Sequence, residues 1–151
     1  MLGWSVLKFR WSATMSAHMG RLDRVRKSAM GICLTNLAGV QVECGELGEA
    51  LAAAPEGLPL LKDLGLAWHQ LDHLALRAAL AGEVAIAGLL AGFTDGAHTP
   101  RKMSRGRNEA RAHARLQTLL GEKFAPHQLE RLLAEGTRMS EDEVCRVALQ
   151  E

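Results

Sequence analysis

The stretch that most limits what this chain can become is Leu66–Gly92, an Ala/Leu-rich run broken at its middle by Gly82. Before Gly82, Leu71, Leu74, Ala75 and Ala78 recur at steps of three and four, the spacing of one buried helix stripe. After it, Val84, Ala87, Leu90 and Ala91 repeat that spacing. Two amphipathic helices separated by a Gly and almost no loop lie antiparallel, as an αα-hairpin. One hairpin cannot cover its own apolar faces, so further layers must stack on both sides. The core material agrees. Aromatics make up 4% of the chain and Tyr is absent, whereas apolar residues reach 48%. That composition predicts helices and argues against a sandwich or barrel.

A shift of 37 residues lays a second copy of the unit on the first. Leu34 falls on Leu71, Leu37 on Leu74, Ala38 on Ala75, Gly45 on Gly82, Glu46 on Glu83, Ala50 on Ala87 and Ala54 on Ala91. The matches sit at core-facing and turn positions, which predicts two stacked hairpins. In the first, Leu34, Leu37, Ala38 and Val42 form one stripe, and Leu47, Ala50, Leu51 and Ala54 the next. Pro55 and Gly57 read as stop signals, leaving Gly57–Gly65 as a connector.

Residues 1–28 stay unassigned as an N-terminal arm. Trp4, Leu7, Phe9 and Trp11 show a mixed period, and Gly20 is expected to break a helix. The domain proper is read as 29–151. Beyond the hairpins, Thr94–Lys102 reads as a loop and Ser104–Leu120 as a helix stopped by Gly121. A helix from Pro126 to Gly136 follows. Ser140 with Glu143 is a capping box, and Met139 with Val144 stands at staple spacing, so a last helix begins there. The fold expected is all-α: two hairpins followed by a C-terminal three-helix cap.

Net charge is +1, so no global field selects nucleic acid or membrane. Its distribution is uneven. Residues 1–28 carry six basic residues against Asp23, 29–100 carry two against eight acids, and 101–115 carry six against Glu109. Three cysteines show no zinc spacing, and Cys33, Cys44 and Cys145 all read as small core residues in a reducing, cytoplasmic setting. No run reaches membrane-spanning length, and no signal peptide is expected.

Candidate chemistry is sparse. His69 and His73 stand at i and i+4, a spacing that can ligate a metal. Gln70 occupies the place where a zinc-protease motif needs Glu, and no third ligand is evident. The pair therefore reads as solvated or packing, with no metal or other cofactor expected. Arg107, Arg111 and Arg115 recur every four residues, and this basic helix around 101–115 is the alternative, nucleic-acid reading. It lacks interleaved aromatics, and the acids Glu141, Asp142 and Glu143 would repel a phosphate backbone. No catalytic constellation is visible, so the chain is not read as an enzyme.

The two hairpins, with Ala38 and Ala50 at close-packing positions, resemble tetratricopeptide repeats, though the period is 37 and the usual aromatics are missing. Gly82-Glu83-Val84-Ala85, Leu89–Phe93, Arg107–Ala112, Leu120–Phe124 and Ser140–Val144 resemble the C-terminal helical region of large bacterial signal-transduction ATPase transcriptional regulators. That resemblance spans about residues 30–150 and implies a non-catalytic interaction or effector-sensing region. The phosphate-loop motif of the ATPase module is not present in this chain. The resemblance implies a detached fragment, or a subunit acting in trans. Repeat position places Ile32, Thr35, His69 and Asp72 on the groove that binds ligand or peptide in tetratricopeptide proteins. The expected partner is another protein, or a second copy, at the exposed repeat edge.

Overall fold

A computed structural model describes the backbone of residues 3–101 and 104–150, which form seven α-helices without a strand among the described residues. They are α1 (Gly3–Cys44), α2 (Leu47–Asp63), α3 (Ala67–Leu80), α4 (Val84–Arg101), α5 (Arg107–Lys123), α6 (Pro126–Arg138) and α7 (Glu141–Leu149). The side chains of Trp4, Leu7, Phe9 and Trp11 lie outside the described residues, as does Lys102.

Helix α1 packs on α2 and α3 on α4, and the turns that join each pair are built alike. Gly45 and Gly82 sit at φ 81° and 84°, a left-handed conformation that any Cβ would strain. Past each glycine the chain folds back onto the same carbonyl. The Glu46 N–H donates to Gln41 O at 2.8 Å, and the Glu83 N–H donates to Ala78 O at 2.8 Å. These are the closing bonds of a Schellman motif, and the turn at Gly65 repeats them. The shared Gly-Glu at 45–46 and 82–83 thus reflects shared turn geometry.

Helix α3 is the hub, packed on α1, α2, α4, α5 and α7. It is buried nearly all round rather than along one stripe, and only His69 between Ala67 and Ala79 is partly exposed. Its polar residues therefore need partners inside the protein. Arg77 finds two: Nε donates to Leu47 O at 3.2 Å, and the guanidinium pairs with Glu83 at 2.5 Å. The end of α3 is so tied to the start of α2 and the turn into α4.

The last three helices wrap around the first four rather than sitting at one end. Helix α5 packs on α3, α6 lies along α4, and α7 touches α2, α3 and α4. The contact of α4 with α6 is unusually close. Gly88, Gly92 and Gly96 form a glycine row on α4, and Gly136 faces it from α6. A Cβ at Gly92 would run into the backbone carbonyl of Leu133, and one at Gly136 into that of Leu89. Thr137 Oγ1 donates across the crossing to Gly92 O at 3.0 Å. The capping box at Ser140 and Glu143 forms as expected, with Glu143 N–H on Ser140 Oγ at 3.2 Å and Ser140 N–H on Glu143 Oε2 at 2.8 Å.

Several sequence expectations need correction. Pro55 and Gly57 do not stop α2, because Leu58 and Leu61 beyond them bury against the core and hold the helix to Asp63. The expected loop from Thr94 is a continuation of α4, with Thr94 buried and its hydroxyl donating to Ala91 O. Gly121 and Gly136 lie inside helices, and Gly136 serves packing instead. Gly20 does not break α1. Leu37 is 47% exposed, on the side of α1 away from the core, and Cys33 and Cys44, expected in the core, are exposed on that side too.

Candidate functional site

Asp72, fully buried on α3, is the centre of a polar cluster between α3, α4 and the entry to α5. Arg105, in the short segment before α5, reaches back into it. Its Nε donates to Asp72 Oδ2 at 2.9 Å, and its second nitrogen donates to Asp95 Oδ1 at 2.7 Å and Thr94 Oγ1 at 3.2 Å. One guanidinium fork thereby joins three elements, the geometry for which Arg is suited. His113 of α5 approaches Asp95 at 3.4 Å and Asp72 at 4.0 Å, while His98 lies 3.6 Å from Asp72. Trp68 roofs the group, edge-on to His98 at 4.3 Å and stacked on His69 at 3.6 Å between ring centroids.

Beside this cluster His73 is buried, with Gly39 of α1 leaving just enough room for its ring. Its Nε2 stands 3.8 Å from the Glu109 carboxylate at the first turn of α5. Glu109 also borders a cavity of about 260 Å³ that opens between α1, α3 and the start of α5. That cavity collects three of the four predicted groove residues, Ile32, Thr35 and His69, along with Leu61 and Leu66. Asp72 is not on it, since it lies sealed beneath and engaged by Arg105. The Thr35 hydroxyl donates to its own helix, to Gly31 O at 3.0 Å. Two further depressions occur. One of about 500 Å³ lies at Leu58, Lys62, Asp142 and Cys145, and one of about 340 Å³ at Glu43, Arg111 and Arg115.

The predicted basic stripe is divided. Arg107, Arg111 and Arg115 are exposed on α5, but Arg111 pairs with Glu43 of α1 at 2.5 Å and Arg105 is committed to the interior. His69 and His73 share a helix but serve different neighbours, the first stacked on Trp68 and the second facing Glu109. Among the described residues no group of three or more His, Cys, Asp or Glu is arranged to hold a metal ion. Cys145 is buried, and burial pushes its thiol up to about 11, which removes it as a nucleophile near neutral pH.

His69, His73 and His113 are all held below the ordinary imidazole value of 6.5, chiefly by burial. Glu109 offsets part of this for the first two, and Asp95 part of it for His113. The unfolded chain then takes up protons near pH 6.5 that the folded protein accepts only at lower pH. Stability is full above 6.5 and falls as pH drops through the folded values. Urea unfolding at pH 7.5, 6.5 and 5.5 should show the loss below 6.5, with a slope of up to about 1.4 kcal/mol per pH unit for each histidine. His73→Gln should reduce that slope. A protein that gains stability between pH 6.5 and 5.5 would contradict this assignment.

No protein-family model, curated protein or solved structure matches this chain. In the polar cluster, Asp72 and Arg105 face each other rather than a cavity, and that arrangement serves to position α5.

The least satisfied surface lies elsewhere, on α1. Its inner face, Gly31, Thr35, Ala38 and Val42, is buried against the body. On the opposite side Met15, Met19, Leu22, Met30, Leu37 and Val40 are exposed, with the exposed Cys33 and Cys44 on the same line. Steps of three and four residues place these side chains on one stripe. Helix α1 is thus apolar on two opposite sides, and one side has no cover. From Met15 to Met30 almost every residue is exposed, so this half of the helix is an arm. No helix among the described residues is long and apolar enough to cross a membrane.

Proposed function

We propose that this chain is a non-catalytic protein-interaction module, two degenerate tetratricopeptide-like hairpins with a three-helix cap, which docks through the outer face of α1. The observation that carries the reading is the uncovered apolar stripe on the outermost helix of the first hairpin. A stripe of this length is more than the scattered exposed apolar residues of an ordinary surface. The arm also needs an explanation, because a lone helix of its length is marginal in water without packing. The likeness of residues 30–150 to the helical tails of bacterial regulators points to the same class of role.

Amide hydrogen exchange tests this. Residues 15–28 should be protected in the docked state well beyond an isolated helix. Leu22→Asp with Leu37→Asp should remove that protection by tenfold or more and leave α3 and α4 unchanged, since neither leucine touches the core. Arm amides that exchange freely in the wild type, with no change in the variant, would overturn the reading.

A further inference from the structure

The stripe on α1 suggests its own occupant. Its positions are Met15, Met19, Leu22, Arg26, Met30, Cys33, Leu37, Val40 and Cys44. They span about 44 Å of helix, and the middle one is Met30. Reversed about the centre of the span, between Ala29 and Met30, Met15 faces Cys44, Met19 faces Val40, Leu22 faces Leu37 and Arg26 faces Cys33. Each apolar side chain of the arm meets one on the body-borne half of the same helix. We propose that the outer face of α1 is covered by α1 of a second copy laid antiparallel, so that each arm covers the stripe on the other's body. This rests on the reading of α1 as the docking surface.

Charge selects the direction. The arm carries Arg21, Arg24, Arg26 and Lys27 against Asp23 alone, which pairs with Arg26 at 2.9 Å and Lys27 at 3.1 Å. Close to the other end of the stripe stand the exposed Glu46 and Glu49, in the turn and first turn of α2, with Glu43 of α1, which Arg111 engages. Antiparallel pairing brings basic arm to acidic end at both ends of the seam. Parallel pairing would set Arg26 against Arg26 in the seam and one basic arm against the other, which like-charge repulsion opposes. A lipid surface fits less well, because an anionic bilayer laid along the whole stripe would come close to the exposed Glu46 and Glu49 beyond its far end. The period supports a helix partner too, since steps of three and four, alternating on either side of Arg26, are those of a two-helix seam.

The wild-type chain should sediment as a dimer, and Leu22→Asp should weaken dimerisation at least tenfold. Direction is read by cysteine pairing, with Cys33→Ser and Cys44→Ser introduced to clear the face. Leu22→Cys and Leu37→Cys are made as separate proteins and oxidised mildly. Antiparallel pairing predicts that neither links to itself and that their mixture yields a disulfide-linked dimer. A Leu22→Cys protein that links to itself overturns the antiparallel arrangement but leaves α1 as the docking surface. A monomer that binds phosphatidylserine-containing vesicles through Leu22 overturns the second-copy proposal and again leaves the docking surface. A monomer that ignores vesicles and shows unprotected arm amides removes both.

Discussion

Gly92→Ala should destabilise the protein by about 2 kcal/mol although it adds a single methyl group. The methyl would enter space held by the Leu133 carbonyl, which is backbone and cannot rotate away. Only separation of α4 from α6 can relieve the overlap, and that separation also opens the Leu132 contact at Gly88 and the Thr137 bond to Gly92 O. Overpacking of this kind costs roughly 3 kcal/mol at the upper end of its usual range. Better helix propensity returns about 1 kcal/mol. Gly136→Ala should lose a similar amount by meeting Leu89 O from the other side. The double variant should lose less than the sum, since one displacement relieves both. Gly121→Ala is the control. It sits in α5 with nothing within reach of a new methyl, so the same change there should stabilise by roughly 0.5–1 kcal/mol. Urea denaturation of the four proteins reads all of this. A Gly92→Ala protein as stable as the wild type would mean that the helices are not in backbone contact.

The opposite signs expected at Gly92 and Gly121 show where the sequence could be read and where it could not. Turn glycines were legible, because Gly45 and Gly82 end an apolar stripe and are followed by the same residue. The spacing of Leu71, Leu74, Ala75 and Ala78 likewise marked one buried side of α3, whose other sides are buried as well. The glycine row Gly88, Gly92 and Gly96 was not legible as packing, since its meaning depends on α6 arriving against it. Pro55 misled for a related reason. Within α2 it has only local cost, and the burial of Leu58 and Leu61 outweighs that cost. Most hidden was the polar cluster. Asp72 and His73 look solvent-facing in a chain with no partner in view. Arg105 reads as one member of a basic run, and Asp95 and His98 fall in an apparent loop. Only the packing of three elements around α3 makes them one group. The outer stripe on α1 is half visible: the spacing of Leu34, Leu37, Ala38 and Val42 points Leu37 to the core, and periodicity alone cannot say which of two apolar faces turns inward.

Asp72→Ala should be the most damaging single change in that cluster, at roughly 3–5 kcal/mol, the cost of leaving one member of a buried ion pair without its partner. Asp72 is inaccessible to solvent and Arg105 is largely shielded, so water cannot readily replace the lost carboxylate. Arg105 would keep Asp95, but that carboxylate is 39% exposed and lies on α4, so α3 would lose its ion pair to the segment that leads into α5. Asp72→Asn should cost less, because the amide oxygen still accepts from Nε, although the charge is gone. The informative variant carries both Asp72→Ala and Arg105→Met. Removing both charges and filling part of the space with a flexible apolar side chain should recover much of the loss, with a coupling energy of at least about 1.5 kcal/mol. If the double variant is instead as unstable as the sum of the single ones, the pair is not coupled and Arg105 is held mainly by Asp95 and Thr94. The same variants separate the cluster from the docking surface. Asp72 and Arg105 lie away from the outer face of α1, so any variant that still folds should dimerise like the wild type. Dimerisation lost by the Asp72→Asn protein, with its fold intact by circular dichroism, would instead place the polar cluster in the path between the core and α1.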